Sequence, residues 1–378
     1  MTDTDPTGLP NRPRRRWRRA AFLGIAAAGI GMAAVAAWYH AHPAAPLLPV
    51  PDPNGYDDLL RAARAISGTP PKHGPQFGQI TRQSAGEAAF RLDPMASTWD
   101  EARAYLDANR DVLARARAGL DRDCVVPVSF EIGYDPNHNT TRADLDKLAR
   151  VFLWEAHLAV REDRPAEAAR SFLDLVRLGH ASARGGFEIT FWGPGHPIES
   201  GGLIGLSRIV GELDPATCRR AIAVIGDLDR RREPYRALRA RTEARNDALQ
   251  GRFQTTLFEL TNYRRLAEER RWLDESYDES IVLARLVEVE LALRAFRVEK
   301  GRDPDDLREL VPSYLPDLPL DPFSGRPPAY RKGKSGPVVY SIGPDRIDDG
   351  GEPMVRPNPR ARPTGDIVPD STFSPLAP

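Results

Sequence analysis

The run Ala20–Tyr39, AAFLGIAAAGIGMAAVAAWY, carries no charged residue and sits directly behind Arg14, Arg15, Arg16, Arg18 and Arg19. No other feature constrains the chain so strongly. A helix rises about 1.5 Å per residue, so roughly 20 apolar residues match a hydrocarbon core of about 30 Å. An amphipathic core helix would need a polar face, and this run has none. The next basic residue after the arginines is Arg61. Positive charge stays on the cytoplasmic side, so the N-terminus is expected inside and the rest exported. Trp17 at one end and Trp38–Tyr39 at the other suit the two interfaces. The reading is a single-pass anchor in the inner or cytoplasmic membrane, with the lipid bilayer as partner through residues 20–39. A cleaved signal peptide is the alternative, with Ala34-Val35-Ala36 as an acceptable cleavage site. A twin-arginine signal fits less well, because Arg18-Arg19 is one residue out of step.

Beyond the anchor, residues 40–55 hold Pro43, Pro46, Pro49, Pro51 and Pro53 and read as a stiff spacer. Residues 56–275 read as an α-helical domain. The spacing predicts helices over Tyr56–Ile66 and Thr98–Ala118, the second with Thr98 and Glu101 arranged as a capping box. Val125–Ile132 has strand character or is an extended connector. From Thr141 to Ala183, apolar residues recur at helical spacing on both sides of a turn at Glu162-Asp163-Arg164-Pro165. Pro165 suits a first helical turn. This unit resembles one tetratricopeptide-like hairpin. No second copy occurs at a fixed period, so an ordinary helical hairpin is the simpler reading. Gly185–Gly202, GGFEITFWGPGHPIESGG, reads as a loop between helices. Helices are further expected over Leu203–Leu213, from Pro215 to Leu228 with Asp214 as cap, over Glu233–Leu266, and over Ile281–Glu299.

Several functional classes lose support. Lys plus Arg and Asp plus Glu number 53 each, so there is no basic surplus for nucleic acid. Cys124 and Cys218 are the only cysteines, and no CxxC zinc pattern occurs. A disulfide between them is permitted outside the cytoplasm, and two small buried residues are the plainer expectation. The Gly-rich stretch lacks a phosphate-loop pattern, and no HExxH is present. His138, His157 and His180 have no ligand-like partners at fixed spacing. His196, Glu199 and Ser200 share the Gly-rich segment and could form a base and nucleophile pair. The glycine that a nucleophile elbow requires two residues before the serine is missing. Arg230-Arg231-Arg232 and Glu268-Glu269-Arg270-Arg271 read as solvated helix faces.

The stretch from Leu283 to Gly351 is more distinctive. A helix ends at Leu293-Arg294-Ala295-Phe296-Arg297, and Gly301 offers a C-terminal stop. Asp305-Asp306 opens a short helix, DDLRELV. Tyr314-Leu315-Pro316 leads to Asp321-Pro322-Phe323-Ser324-Gly325. Strands are expected at Ala329–Lys332 and Val338–Ile342 around the turn Lys334-Ser335-Gly336. Gly343-Pro344-Asp345 and Asp348-Asp349-Gly350-Gly351 follow. This order of landmarks resembles the C-terminal part of type II secretion major pseudopilins. That resemblance implies an α+β module over 276–351. It also implies a calcium loop at Asp345, Asp348 and Asp349, whose oxygen donors suit a hard cation. A solvated acidic turn is the alternative. The family's processing site and the acidic residue of its apolar helix are absent here, and over 200 residues separate anchor from module. Residues 352–378, rich in proline, read as a disordered tail.

Together these readings give a mainly α chain with a small C-terminal α+β module and one N-terminal transmembrane helix behind a basic tail, residues 1–19. The expected role is a periplasmic binding or assembly function without catalysis, possessing unidentified envelope protein partners. An exported hydrolase using residues 185–202 and a degenerate pseudopilin are the alternatives.

Overall fold

The computed structural model describes Gly29 and residues 47–71, 96–129, 139–333, 336–355 and 363–369. The expected membrane span over 20–39, bar Gly29, and the basic tail 1–19 lie outside the described residues. Among those described, no helix is long and apolar enough to cross a membrane. The chain is mainly helical, with one small two-stranded antiparallel sheet.

The first helix, α1 (Gly55–Arg64), starts where Asn54 accepts a hydrogen bond from the Tyr56 N–H at 3.2 Å. Asp57 and Asp58 in its first turn favour the positive end of the helix dipole. Asn54 is buried and also clasps the backbone of Val125, donating to its carbonyl at 2.8 Å and accepting from its N–H at 3.1 Å. The end of the expected spacer is therefore fastened to the core rather than free. Val125 belongs to an extended connector, which the Val126 N–H ties to the Arg184 carbonyl at 2.9 Å.

The single helix expected over Thr98–Ala118 is two helices, α2 (Ala96–Ala108) and α3 (Arg110–Leu120). Asn109 causes the break. Its buried amide donates to the Ser67 and Tyr105 carbonyls at 2.9 and 2.8 Å and accepts from the Ser67 N–H at 3.0 Å. Short polar side chains compete with the helix ladder in this way. Thr98 lies inside α2 and does not cap it.

The hairpin appears as α4 (Asn139–Arg161) and α5 (Pro165–Ala183), with Pro165 in the first turn. Asp163 turns the chain with φ of 54°. Helix α5 is buried on nearly every side, with Phe172, Leu175 and Leu178 fully covered.

The Gly-rich segment is not a loop. Glu188–Thr190 makes one α-turn, Phe191–Gly195 a π-turn, and α6 (His196–Ile209) begins at once. Glycine disfavours isolated helices, which is why the segment reads as irregular. Here its missing side chain is what packing requires. A Cβ on Gly202 would stand 2.6 Å from the Phe172 carbonyl oxygen, and one on Gly205 would enter the Phe172 ring. Gly179 on α5 faces the Glu199 backbone just as closely. The glycines let α5 and α6 approach backbone to backbone.

Asp214 caps α7 (Pro215–Arg231), accepting from the Ala216 and Thr217 N–H groups at 2.9 and 3.0 Å. The long charged helix expected over Glu233–Leu266 is divided. Helix α8 (Tyr235–Gln250) stops at Gly251, whose φ is 85°, and α9 (Arg252–Thr261) follows. Helix α10 (Tyr263–Lys300) then runs 38 residues without interruption. It contains the expected Ile281–Glu299 helix and crosses the expected boundary at 275/276. Its second half, from Val282 to Phe296, enters the same core as α1, α4 and α7. Residues 46–378 form one unit.

Gly301 ends α10 in the left-handed region, with φ of 69°. A short 3-10 turn at Leu307–Leu310 is capped by Asp306. Strands β1 (Ala329–Gly333) and β2 (Gly336–Tyr340) pair with Ala329 opposite Tyr340. The expected disordered tail is paired in part. Ser341 exchanges both backbone hydrogen bonds with Ile367, and Val355 does so with Thr364. Residues 356–362 and 370–378 lie outside the description. Ile367 packs against the core, which holds the returning segment in place.

Candidate functional site at the π-turn

Where the π-turn meets α8 and α10, aromatic rings gather in a second apolar cluster. Phe191, Tyr235 and Tyr277 are buried in it, and Trp192 packs against it. Tyr235 and Tyr277 stack at 5.1 Å, and the Trp192 indole donates to the Tyr235 hydroxyl at 2.9 Å. π-turns interrupt a helix at some energetic cost and recur at functional sites, so their surroundings are the first place to examine.

Beneath the rings lies a set of buried ions. Glu199 gives both carboxylate oxygens to Arg232, one at 3.2 Å and the other closer. Both side chains are less than a tenth exposed. Burial opposes the Arg232 charge, but the Glu199 carboxylate outweighs it and holds the guanidinium above its ordinary value. Arg241, fully buried, forks onto Glu233 at 2.8 and 3.0 Å and donates to the Gly186 carbonyl at 2.8 Å. The Gly185 N–H donates to the same Glu233 at 2.6 Å, and the Tyr277 hydroxyl donates to the Glu233 backbone oxygen. Burial raises both tyrosine hydroxyls well above the usual range. It pushes His180 down, and Arg232, Arg231 and Arg184 add to that effect. His180 Nε2 is buried without a hydrogen-bond partner.

His180, Phe191, Glu199, Arg232 and Tyr277 line a cavity of about 20 Å³. A space of that size holds about one water molecule and no organic substrate.

The structure brings His196 and Ser200 together, with Ser200 Oγ 3.1 Å from His196 Nδ1. The contact spans one helical turn of α6. Ser200 is buried, and the His196 ring lies flat on Phe191 at 5.6 Å. Glu199 faces Arg232 and is not the third member of a triad. Within a helix, backbone N–H groups are spent on carbonyls four residues earlier, so α6 leaves no pair of free donors for an oxyanion at Ser200.

Arg232 was expected on a solvated face and is instead buried. It is the C-cap of α7, and its backbone is extended before Glu233-Pro234. The residue before a helix-ending turn leaves the solvated stripe, and that was the signal available in the sequence. Cys124 and Cys218 are buried and unpaired, and burial pushes both thiols up to about 11.

At the acidic turn, Asp345 accepts from the Ile347 and Gly365 N–H groups at 3.1 and 3.2 Å. Asp348 accepts from the Gly350 N–H at 2.9 Å and the Tyr340 hydroxyl at 3.0 Å. Asp366, from the supposed tail, is fully buried. One of its oxygens accepts from the Gly351 N–H at 2.6 Å, and the other has no hydrogen-bond partner. Burial raises its carboxyl, and Asp348 and Asp349 repel its charge. The donors have the hard-oxygen chemistry that calcium prefers. Among the described residues, however, no three acidic, His or Cys side chains are gathered as a metal-holding group.

No protein-family model matches this chain, and no match is found among curated proteins or solved structures.

Proposed function

We propose that this chain is a membrane-anchored, extracytoplasmic binding or assembly protein without catalytic chemistry of its own. The observation that carries the reading is the commitment of Glu199 to Arg232 beside a cavity of about 20 Å³. The most enzyme-like constellation among the described residues is thereby neutralised by an ion pair that ties α6 to the end of α7. The charge-free run at 20–39 behind five arginines supports the anchor. The landmarks from Leu283 to Gly351 support kinship with pseudopilins and a place in an envelope or secretion-related assembly. Protease treatment of spheroplasts, combined with cross-linking and detergent extraction, tests this reading. Residues beyond 55 should be digested from outside, and specific envelope proteins should co-purify. Labelling of Ser200 by a fluorophosphonate, lost in Ser200→Ala, would instead establish the hydrolase.

Calcium at the acidic turn of Asp345, Asp348 and Asp349 belongs to the same proposal, and its binding would have to draw these carboxylates together with Asp366, since they are not gathered without it. Its support is the buried Asp366 oxygen that lacks a partner. Added calcium should raise the melting temperature, since a ligand that binds only the folded chain stabilises it. Asp366→Asn should abolish that rise. An unchanged melting curve in calcium sinks the idea.

A further inference from the structure

Helix α9 is inside out. Thr255 and Glu259 stand one turn apart and are directed to the rest of the molecule. Thr255 donates to Asp247 of α8 at 2.5 Å, and Glu259 accepts from Arg270 of α10 at 2.6 Å. Leu257 and Leu260 lie on the opposite side and Phe258 on the flank, and all three are exposed. Leu249 at the end of α8 and Tyr263 at the start of α10 extend the same apolar end, with Leu260 at 62% and Tyr263 at 71% exposure. An ordinary surface helix turns its apolar stripe inward. A contiguous exposed group of large apolar side chains marks a contact surface.

The arm that carries this tip is built of polar pairs. Arg239 meets Asp274 at 2.6 Å, and Arg270 meets Glu243 at 3.2 Å. No described apolar residue between Leu238 and Leu273 joins a core cluster. Little internal packing is therefore available to draw the tip's apolar side chains inward. Arg264 and Arg265, both exposed, directly follow Tyr263. The nearby Glu259 already has Arg270 as its counter-charge, and Glu268 and Glu269 lie a turn further along α10.

From this arrangement we infer that the α9 tip docks on an anionic lipid surface. Leu257, Phe258, Leu260 and Tyr263 would enter the interface while Arg264 and Arg265 meet phosphate headgroups. A short apolar face flanked by arginines is the pattern of an interfacial helix. The inference rests on the anchored reading, which supplies the bilayer.

The test uses the full chain with Leu260→Cys carrying an environment-sensitive fluorophore, and Arg308→Cys as a labelled control. Cys124 and Cys218 are buried and do not compete. The chain is reconstituted sparsely into vesicles of phosphatidylcholine alone or mixed with phosphatidylglycerol. With phosphatidylglycerol, emission at position 260 should rise several-fold, move to the blue and be quenched by brominated lipid. Arg264→Glu and Arg265→Glu should each weaken this about fivefold or more, and the label at 308 should not respond. Emission at 260 that stays water-like in both vesicles overturns the proposal. So does a blue shift that follows protein density in neutral detergent, which would identify a second copy of the chain as the occupant. Carbonate extraction reads the anchor separately. A chain released by carbonate whose label is still quenched by lipid rejects the anchor and keeps the docking tip.

Discussion

Glu199 and Arg232 show what a buried ion pair commits a fold to. Removing one partner leaves the other charged and desolvated, which costs about 3–5 kcal/mol. Glu199→Ala is therefore expected to destabilise the chain by that order, measured as a shift in the urea midpoint. Glu199→Gln combined with Arg232→Met should recover much of the loss, because no charge is then stranded. Glu288 supplies a second prediction. Burial, with Asp229 adding repulsion, pushes its carboxyl from 4.5 up to about 7. The folded chain thus holds a proton that the unfolded chain releases across that interval. Its contribution to stability is full below pH 4.5 and fades as pH rises through 7. Glu288→Gln should remove that decline, giving a melting temperature above wild type at pH 8 and a smaller difference at pH 4.5. His157 and His180, both held down by burial, act in the opposite sense at low pH. The comparison of variant with wild type cancels their effect.

Elements with a clean apolar period and a recognisable cap were legible in the sequence. The α4–α5 hairpin with Pro165, the Asp214 cap of α7 and the pairing of β1 with β2 all follow from local chemistry. What escaped was set by distant partners. Asn109 breaks a helix because Ser67, 42 positions away, offers it a backbone to bond. The glycines of α6 look like loop residues until Phe172 of α5 is seen against them. Glu199 could be singled out in the sequence but not matched to Arg232, and Asp366 stood in a segment whose proline content suggested no structure. Helix α6 makes its own prediction. Gly202→Ala places a methyl against the Phe172 carbonyl, so the gain in helix propensity of about 1 kcal/mol should be outweighed by overpacking of about 1–3 kcal/mol. A lowered denaturation midpoint is the expected outcome, whereas the same change at Gly193, where a Cβ meets nothing within 4 Å, should leave it little altered.

At the scale of the whole molecule, a helical part and a C-terminal module share one apolar interior reaching from Leu59 to Val339. The expected division at 275/276 therefore has no structural counterpart within α10. Ser207 of α6 donates to Glu290 at 2.7 Å, adding a buried polar tie between the two halves. Detergent-solubilised chain should unfold in one transition, with circular dichroism and tryptophan fluorescence coinciding. Two separated transitions would show that the module folds on its own.

Helix α10 gives the molecule a mechanical property. Its 38 residues contain neither glycine nor proline, the usual sites of a sharp bend, and they extend about 57 Å at 1.5 Å per residue. One end carries the exposed tip and the other is gripped between α6 and α7. The helix is thus a lever with a fixed fulcrum. A tilt imposed at the free end reaches the C-terminal strands as a displacement of a rigid rod, with no joint along the way to absorb it.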